Sequence, residues 1–323
     1  MISRREILIR MAAGAAVVVR GRAMLEAAAS QPKTPVSFDV PPGACDCHTH
    51  VFGDPSRFAM APARTYTPEP ASVDELRALH RALHVDRVVV VHPSVYGTDN
   101  RCTLDALRQL GSRARGIAVI DEATPDAALD DMARVGVRGI RINLATAGQN
   151  DPAVARQRLQ SAVARVARRR WHIQIFTTLP VIEAVADAVA ASPVPVVFDH
   201  FGGAQAALGA AQPGFNALLD LVKSGRAYVK ISAAYRASTK APDYADIAPL
   251  ATALIAANPR RVLWGSDWPH PDTTRVPGRQ PTDVTPLYQI DDGQVLNQLP
   301  VWAPDAATRK TILVDNPAEL YGF

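Results

Sequence analysis

Length, composition and charge narrow the class of protein. The chain has 323 residues, of which 48% are hydrophobic and 20% are charged. This balance is typical of a folded globular protein and excludes a disordered chain. The net charge is +4, but residues 1–29 hold five arginines against two glutamates, so +3 lies there and only +1 remains for the rest. The sequence therefore gives no support for a nucleic-acid partner.

The three cysteines exclude a disulfide framework. Cys45, Cys47 and Cys102 are too few for one, and the spacing of the first two does not match a zinc-binding pattern. We expect them to be small buried side chains.

Residues 1–29 are predicted to be a twin-arginine signal peptide. Arg4 and Arg5 precede an apolar run that ends at Val19, and small residues up to Ala29 provide a cleavage site. A spanning helix needs about 20 apolar residues, and this run is shorter and contains Arg10. We therefore expect export to the periplasm by the twin-arginine route, without stable membrane insertion after the signal is removed. A retained N-terminal anchor is the alternative.

The remaining chain is predicted to be a proline-rich tether, residues 30–42, followed by one α/β domain, residues 43–323. Near-continuous apolar strands alternate with amphipathic helices, which is typical of a (β/α)8 TIM barrel. The predicted strands are 44–48, 87–91, 116–121, 137–143, 172–177, 194–199, 227–231 and 261–266. The predicted helices are 73–83, 103–110, 125–133, 154–168, 180–190, 215–222, 244–257 and 306–313. Residues 271–304 are interpreted as an excursion over the barrel mouth.

Polar side chains at the carboxyl ends of barrel strands face a common mouth. His48 and His50 end the first predicted strand, His200 follows the sixth and Asp267 follows the eighth. Because side chains alternate along a strand, we expect Asp46 to point to the same side as the two histidines. Cys45 and Cys47 would then face the outer helices.

Three motifs converge on this predicted mouth: His48-Thr49-His50, Asp199-His200, and the run from Gly265 to His270. Together with the segments 64–68, 96–100, 139–141 and 316–318, they make residues 45–323 resemble the amidohydrolase superfamily. The resemblance is to the branch of 2-pyrone-4,6-dicarboxylate lactonase and sugar-lactone hydrolases.

The resemblance implies a hydrolase that opens a small anionic lactone by attack of water. Asp267 would be the general base, and the imidazoles of His48, His50 and His200 would polarise the carbonyl group. The same resemblance implies that Arg141 and Arg236 hold a substrate carboxylate, and that Tyr66 and Ser94 hydrogen-bond the substrate. The sequence does not identify the lactone, its ring size or the oligomeric state.

No cofactor is favoured, and we expect no metal. Metal-dependent relatives supply ligands from the fourth and fifth strands. Here the fourth strand has Arg141, which would repel a cation, and the fifth has Gln174 or Phe176. If zinc or manganese were bound, the ligands would be His48, His50, His200 and Asp267. The alternatives are thus a metal-dependent amidohydrolase or decarboxylase and, in a different class, a non-catalytic periplasmic solute-binding barrel.

We expect structural roles for some of the other polar residues. His80 and His84 are expected on the solvent side of the first helix, and Lys230 is expected to pair with Asp199 or Asp267. The sequence leaves open whether His92 lines the mouth and whether His270 gates the site or packs beneath the 271–304 excursion.

Overall fold

The structure, a computed structural model, describes residues 29–323. The predicted signal peptide lies outside the described residues except for Ala29. Eight parallel strands form one sheet in sequential order, which confirms the predicted (β/α)8 barrel. The strands are β1 (Cys45–Thr49), β2 (Arg87–Val91), β3 (Ala114–Ala118), β4 (Val137–Asn143), β5 (His172–Phe176), β6 (Val196–Phe198), β7 (Ala227–Ser232) and β8 (Val262–Gly265).

Helices cover the outside of the sheet and complete its apolar core. They are α1 (Val73–Leu83), α2 (Arg101–Leu110), α3 (Asp126–Val135), α4 (Pro152–Val166), α5 (Leu179–Ala184), α6 (Ala186–Ala190), α7 (Phe215–Lys223), α8 (Ala234–Ala237), α9 (Ala248–Ala257), α10 (Asp292–Leu296), α11 (Leu299–Trp302), α12 (Ala306–Lys310) and α13 (Asn316–Tyr321). The predicted helix 180–190 is two short helices, α5 and α6, because the backbone at Val185 leaves helical geometry. Among residues 29–323, no helix is long and apolar enough to cross a membrane.

The ends of the sheet close through hydrogen bonds between β1 and the segment after β8. The amide of Asp267 donates to the carbonyl of His48, and the amide of His50 donates to the carbonyl of Trp268, both over 2.8 Å. Gly265 permits this approach, because a Cβ there would lie 2.7 Å from the backbone nitrogen of His48. Closure therefore places Asp267 directly beside the two histidines of β1.

The expected alternation of side chains along β1 is wrong. The register between β1 and β2 shifts between Asp46 and Thr49, as in a β-bulge, which turns one extra residue to the inner side. Cys45 and Cys47 consequently pack in the barrel interior, in a cluster with residues such as Val89 and Leu263. All three cysteines are buried and free, as predicted.

Asp46 instead faces the outer helices. Its Oδ2 accepts from the Ser266 hydroxyl over 2.6 Å and lies 3.4 Å from the His80 ring on α1, and its Oδ1 accepts from the amides of His48 and Ser266. His80 is buried, with 1% of its surface exposed, so the expectation of a surface role for this histidine is wrong. An aspartate at this position of β1 gives the imidazole a buried partner. His84, by contrast, is exposed at the C-cap of α1, as predicted.

Residues 29–42 lie against the barrel. The Ser30 carbonyl accepts from the buried indole of Trp268 over 2.9 Å. The Asp291 carboxylate accepts from the amide and hydroxyl of Thr34, and Asn297 accepts from the amide of Ser37. This segment thereby joins the far end of the 271–304 excursion to the strand end that carries Asp267.

Candidate active site

The carboxyl ends of β1, β6 and β8 bring the predicted catalytic residues together. One carboxylate oxygen, Oδ1 of Asp267, lies 3.4 Å from His50 Nε2, 3.5 Å from His48 Nε2 and 3.8 Å from His200 Nε2. Asp267 is fully buried and adopts a left-handed backbone conformation with φ of 67°. Strain of this kind in a residue other than glycine is characteristic of functional sites.

The other carboxylate oxygen of Asp267 is held by the segment after β7. Its Oδ2 accepts from the hydroxyl of Tyr235 over 2.6 Å and from Nε of Arg236 over 2.9 Å. Burial alone would raise the pKa of Asp267, but the neighbouring imidazole of His200 and the charge of Arg236 hold it well below its ordinary value. Asp267 is therefore an anion with one fixed oxygen and one oxygen facing three imidazoles.

The tautomers of two histidines follow from their second ring nitrogens. Nδ1 of His50 lies 2.8 Å from the carbonyl of Val91, which can only accept, so Nδ1 carries a proton. Nδ1 of His48 lies 3.4 Å from Nζ of Lys230, which can only donate. Oδ1 of Asp199 is 3.2 Å from the same nitrogen but makes no hydrogen bond. The neutral His48 ring therefore accepts from Lys230 and carries its proton on Nε2, which faces the Asp267 carboxylate.

A second buried carboxylate organises the layer beneath His48. Oδ2 of Asp199 accepts from Nε of Arg141 over 3.1 Å and from the amide of Gln174 over 3.0 Å. Its Oδ1 lies 3.6 Å from Nζ of Lys230 and 3.2 Å from Nδ1 of His48. The predicted pairing of Lys230 with Asp199 is confirmed. Lys230 also donates to Gln174 over 2.6 Å, which fixes the ammonium beneath the histidine.

Burial keeps the imidazoles of His48 and His200 neutral. It lowers the pKa of His200 to about 4, against the opposing attraction of Asp267. It also lowers the pKa of His48 well below the ordinary value, where the charge of Lys230 adds to the effect and Asp199 opposes it. Neutral imidazoles can donate to a carbonyl oxygen or share a proton without carrying a charge of their own.

The predicted substrate-binding residues surround this cluster. The hydroxyls of Tyr66 and Ser94 are hydrogen-bonded to each other, and burial raises the pKa of Tyr66. Arg141 lies with its guanidinium carbon 5.3 Å from the ring centre of Phe176. Both predicted arginines are engaged by aspartates of the chain itself: Arg141 by Asp199, and Arg236 by Asp267.

The structure places the two histidines whose roles the sequence left open. His92 is buried after β2, with Nδ1 2.9 Å from the Thr103 hydroxyl and Nε2 3.0 Å from the Gly97 carbonyl. His270 packs beneath the excursion, and its Nε2 lies 3.0 Å from Oδ2 of Asp292 with both side chains fully buried. Its ring meets the Tyr235 ring edge-on at 5.4 Å, so the pair supports the tyrosine that holds Asp267.

The donor set also fits a divalent metal in residue type and separation. Ligand atoms of His48, His200 and Asp267 lie within 4.8 Å of one another, and His50 Nε2 lies beside them. Nε2 of His48 and Oδ1 of Asp267 are buried without a hydrogen-bond partner. The feature that opposes a metal is the Lys230 ammonium, which favours a protonated Nε2 on His48.

Sequence reasoning placed the histidines and Asp267 but overlooked Tyr235 and the role of Asp199 as the centre of a network. Tyr235 belongs to no recognisable motif, and it reaches Asp267 only because α8 follows β7 directly. The sequence could have indicated a role for Asp199, because this residue precedes His200 at the end of β6. Gln174 joins Asp199 through barrel geometry alone.

Comparisons with known proteins agree with this fold. The amidohydrolase family model matches residues 45–323. A 4-sulfomuconolactone hydrolase of Rhizobium radiobacter is 35% identical over 89% of this chain and 93% of its own length. A 2-pyrone-4,6-dicarboxylate hydrolase of Comamonas testosteroni is 34% identical over 88% of this chain and 92% of its own length.

A solved structure shows the same architecture. The crystal structure of a "probable 2-pyrone-4,6-dicarboxylic acid hydrolase" from Acinetobacter baumannii, with citric acid bound, superposes with a TM-score of 0.71 at 25% identity. The superposition covers 87% of this chain and 100% of that one. The predicted resemblance is confirmed, and the chain belongs to the amidohydrolase family.

Proposed function

We propose that this chain hydrolyses an anionic lactone by attack of a water molecule activated by Asp267, without a metal ion. The observation that carries the proposal is a buried pair of unpartnered polar atoms. Oδ1 of Asp267 is an acceptor and Nε2 of His48 is a donor, they lie 3.5 Å apart, and neither has a hydrogen-bond partner among the described residues. The relatives named as hydrolases of sulfomuconolactone and of pyrone dicarboxylate support an anionic lactone as substrate.

The chemistry uses an acceptor and a donor at the same place. Water attacks the lactone carbonyl carbon while its proton passes to Oδ1 of Asp267, and the developing charge on the carbonyl oxygen is stabilised by imidazole N–H groups. The ring C–O bond then breaks, and the leaving oxygen takes the proton from Asp267. The products are a hydroxyl group and a carboxylic acid, which releases its proton to solvent, and Asp267 returns to its anionic form.

Arg236 and Arg141 are assigned different roles. Arg236 donates with Nε to Asp267, with Nη1 to the Thr273 hydroxyl and with Nη2 to the Pro271 carbonyl. We therefore assign Arg236 to fixing Asp267, which revises its expected role as a carboxylate binder. Arg141 uses Nε and Nη2 on Asp199 and keeps Nη1 for a substrate carboxylate, next to the hydroxyls of Ser94 and Tyr66.

A metal-dependent hydrolase is the second candidate, because the ligand atoms of His48, His200 and Asp267 converge within 4.8 Å. Those residues, with His50, would hold the ion. A bound zinc or manganese would act as a Lewis acid and lower the pKa of a coordinated water.

Elemental analysis of the purified protein, made without chelator, separates the two candidates. Hydrolysis of 2-pyrone-4,6-dicarboxylate and of 4-sulfomuconolactone is followed before and after chelation. Metal well below one ion per chain with chelator-resistant turnover supports free Asp267 as the base. About one ion per chain, with turnover lost on chelation and restored by zinc or manganese, supports the metal-dependent candidate. Binding without turnover of any lactone supports the solute-binding barrel.

We also propose export to the periplasm by the twin-arginine route, on the evidence of Arg4, Arg5 and the apolar run behind them. Replacing both arginines by lysine tests it. The variant is expected to stay in the cytoplasm of a host with a functional twin-arginine system, while the unaltered protein reaches the periplasmic fraction.

A further inference from the structure

A cavity of about 640 Å³ lies beside the reaction centre and is not used by the chemistry described above. At its inner end it is lined by Arg141 and Ser94, two of the residues expected to hold the substrate. His48, His200 and Asp267 do not line it. The cavity thus begins where an anchored substrate would lie and leads away from the bond that is broken.

The walls of this cavity are mostly apolar. Val119 follows β3, Ile140 and Ile142 come from β4, and Val154 comes from α4. The outer wall is a solvent-exposed face of α4 with Gln157, Arg158 and Ser161, whose three- and four-residue spacings place them on one side of the helix. A ligand that fills the cavity therefore meets apolar surface between polar groups at its two ends.

The outer end holds one arginine with an open guanidinium. Arg165 also lines the cavity, but it donates to the carbonyls of Glu122 and Thr124 and so fixes the loop after β3. Arg158 has no hydrogen bond or ion pair with any residue in the described part of the chain. A guanidinium that faces a cavity without a partner is suited to a carboxylate, sulfonate or phosphate group of a ligand.

Two carboxylates also line the cavity and limit where an anion can bind. Asp121 accepts from the Thr124 hydroxyl, a hydrogen bond that lowers its pKa, so this side chain is an anion at neutral pH. Glu122 also lines the cavity. A ligand anion is repelled by these two side chains and attracted by the unpartnered guanidinium of Arg158.

We propose that the cavity binds the distal arm of the substrate and that Arg158 binds an anionic group at the end of this arm. The proposal rests on the proposed lactone hydrolysis and names its substrate class. The substrate is a lactone with one carboxylate near the ring, at Arg141, and a second anionic group on an apolar arm several bonds long. A compact ring alone would leave most of a 640 Å³ space unused, since ligand pockets of about 300–1,000 Å³ bury most of a drug-sized ligand.

The test compares two kinds of lactone that differ only in the arm. The compact probe is 2-pyrone-6-carboxylate; the extended probes carry a 4-carboxybutyl group at ring position 3, 4 or 5. The unaltered protein is expected to hydrolyse one extended probe with a kcat/KM at least ten times that of the compact probe. Equal or lower values for all three extended probes would overturn the proposal, although the lactonase function would stand.

Arg158→Gln tests the assigned cation, with Arg108→Gln as a matched control. Arg108 is exposed on α2, does not line the cavity, and its replacement changes the net charge equally. We expect Arg158→Gln to raise KM for the preferred extended probe about tenfold at unchanged kcat, to leave the compact probe unaffected, and to be partly rescued in Arg158→Lys. Equal effects on both probes, or equal effects of the two glutamine variants, would contradict the assignment.

A binding measurement keeps the two proposals distinguishable. Octanedioate has two carboxylates on an apolar chain and no lactone, and octanoate has only one carboxylate. Calorimetry is expected to show tighter binding of octanedioate and loss of this preference in Arg158→Gln. This result with no lactone hydrolysed would reject the proposed function but retain the site; hydrolysis without the preference would reject the site.

Discussion

Arg236 donates its Nε hydrogen to Oδ2 of Asp267 over 2.9 Å, and this contact assigns a role to both residues. The arginine that the sequence analysis assigned to substrate binding is the partner that fixes the proposed base. Because Tyr235 binds the same oxygen over 2.6 Å, only Oδ1 is left for chemistry. The carboxylate is thus held in one orientation, with its reactive oxygen aimed at the imidazoles of His48, His50 and His200.

Asp267→Asn is expected to reduce kcat by about 10²–10⁴-fold, the usual contribution of a positioned general base. The amide keeps the size of the carboxylate but cannot take a proton from water. Steady-state kinetics with 2-pyrone-4,6-dicarboxylate measures the loss, and calorimetry with the same compound shows whether binding remains. Unchanged turnover in a folded variant would reject Asp267 as the base.

Tyr235→Phe is expected to lower kcat by roughly tenfold and to move the acidic limb of activity to higher pH. The variant removes a hydrogen bond to the charged form of Asp267, and such a bond to a charged partner is worth about 1.5–3 kcal/mol. Loss of this bond raises the pKa of Asp267. The pH dependence of kcat/KM measures the shift of the acidic limb. Tyr288→Phe is the control, because the Tyr288 hydroxyl contacts Thr274 and Asp272 instead. A shift of equal size in the control would show a general loop effect.

The unaltered protein is expected to show no limb of kcat/KM near pH 6.5. Asp267 has a pKa well below its ordinary value, so it remains an anion as the pH falls through the usual histidine range. The pKa of His200 is about 4, so this imidazole remains neutral over the same range. Rates measured from pH 4.5 to 8 on a stable lactone should be nearly constant down to about pH 5. A limb centred near pH 6.5 would instead indicate a histidine base.

Stability is expected to fall as the pH drops below 6.5, because several histidines are buried in neutral form. Burial lowers the pKa of His172 to about 3 and that of His92 to about 4. Below pH 6.5 the unfolded chain binds protons that the folded chain cannot, so acidification favours unfolding. The free energy of unfolding from urea titrations at pH 7 and pH 5 measures this loss.

His172→Gln isolates one of these contributions away from the site. The imidazole lies at the amino end of β5 against Tyr321, with both ring nitrogens unpartnered among the described residues. Removing the His172 imidazole is expected to reduce the difference in unfolding free energy between pH 7 and pH 5 by about 2 kcal/mol. This is the contribution of one histidine that binds a proton with an ordinary pKa in the unfolded chain but stays neutral in the folded chain. An unaltered difference would mean that His172 is protonated in the folded protein.

The sequence by itself determined the barrel and the identity of the residues at its mouth. Strands such as Val88–Val91 are apolar on both faces, as a covered parallel sheet requires. His48, His50, His200 and Asp267 follow strand ends, which a closed barrel brings to one rim. These conclusions depend only on local hydrophobic periodicity and on the order of the elements along the chain.

Only the tertiary structure decided which side chains contact each other at that rim. The irregularity in β1 places Cys47 and His48 on the same side of the strand, which period-two alternation excludes. The partners of Arg141 and Arg236, the hydroxyl of Tyr235 on Asp267, and the opening of Arg158 to a cavity join residues from different βα units. Such contacts depend on distances of a few ångströms between distant segments, and local sequence patterns carry no information about those distances.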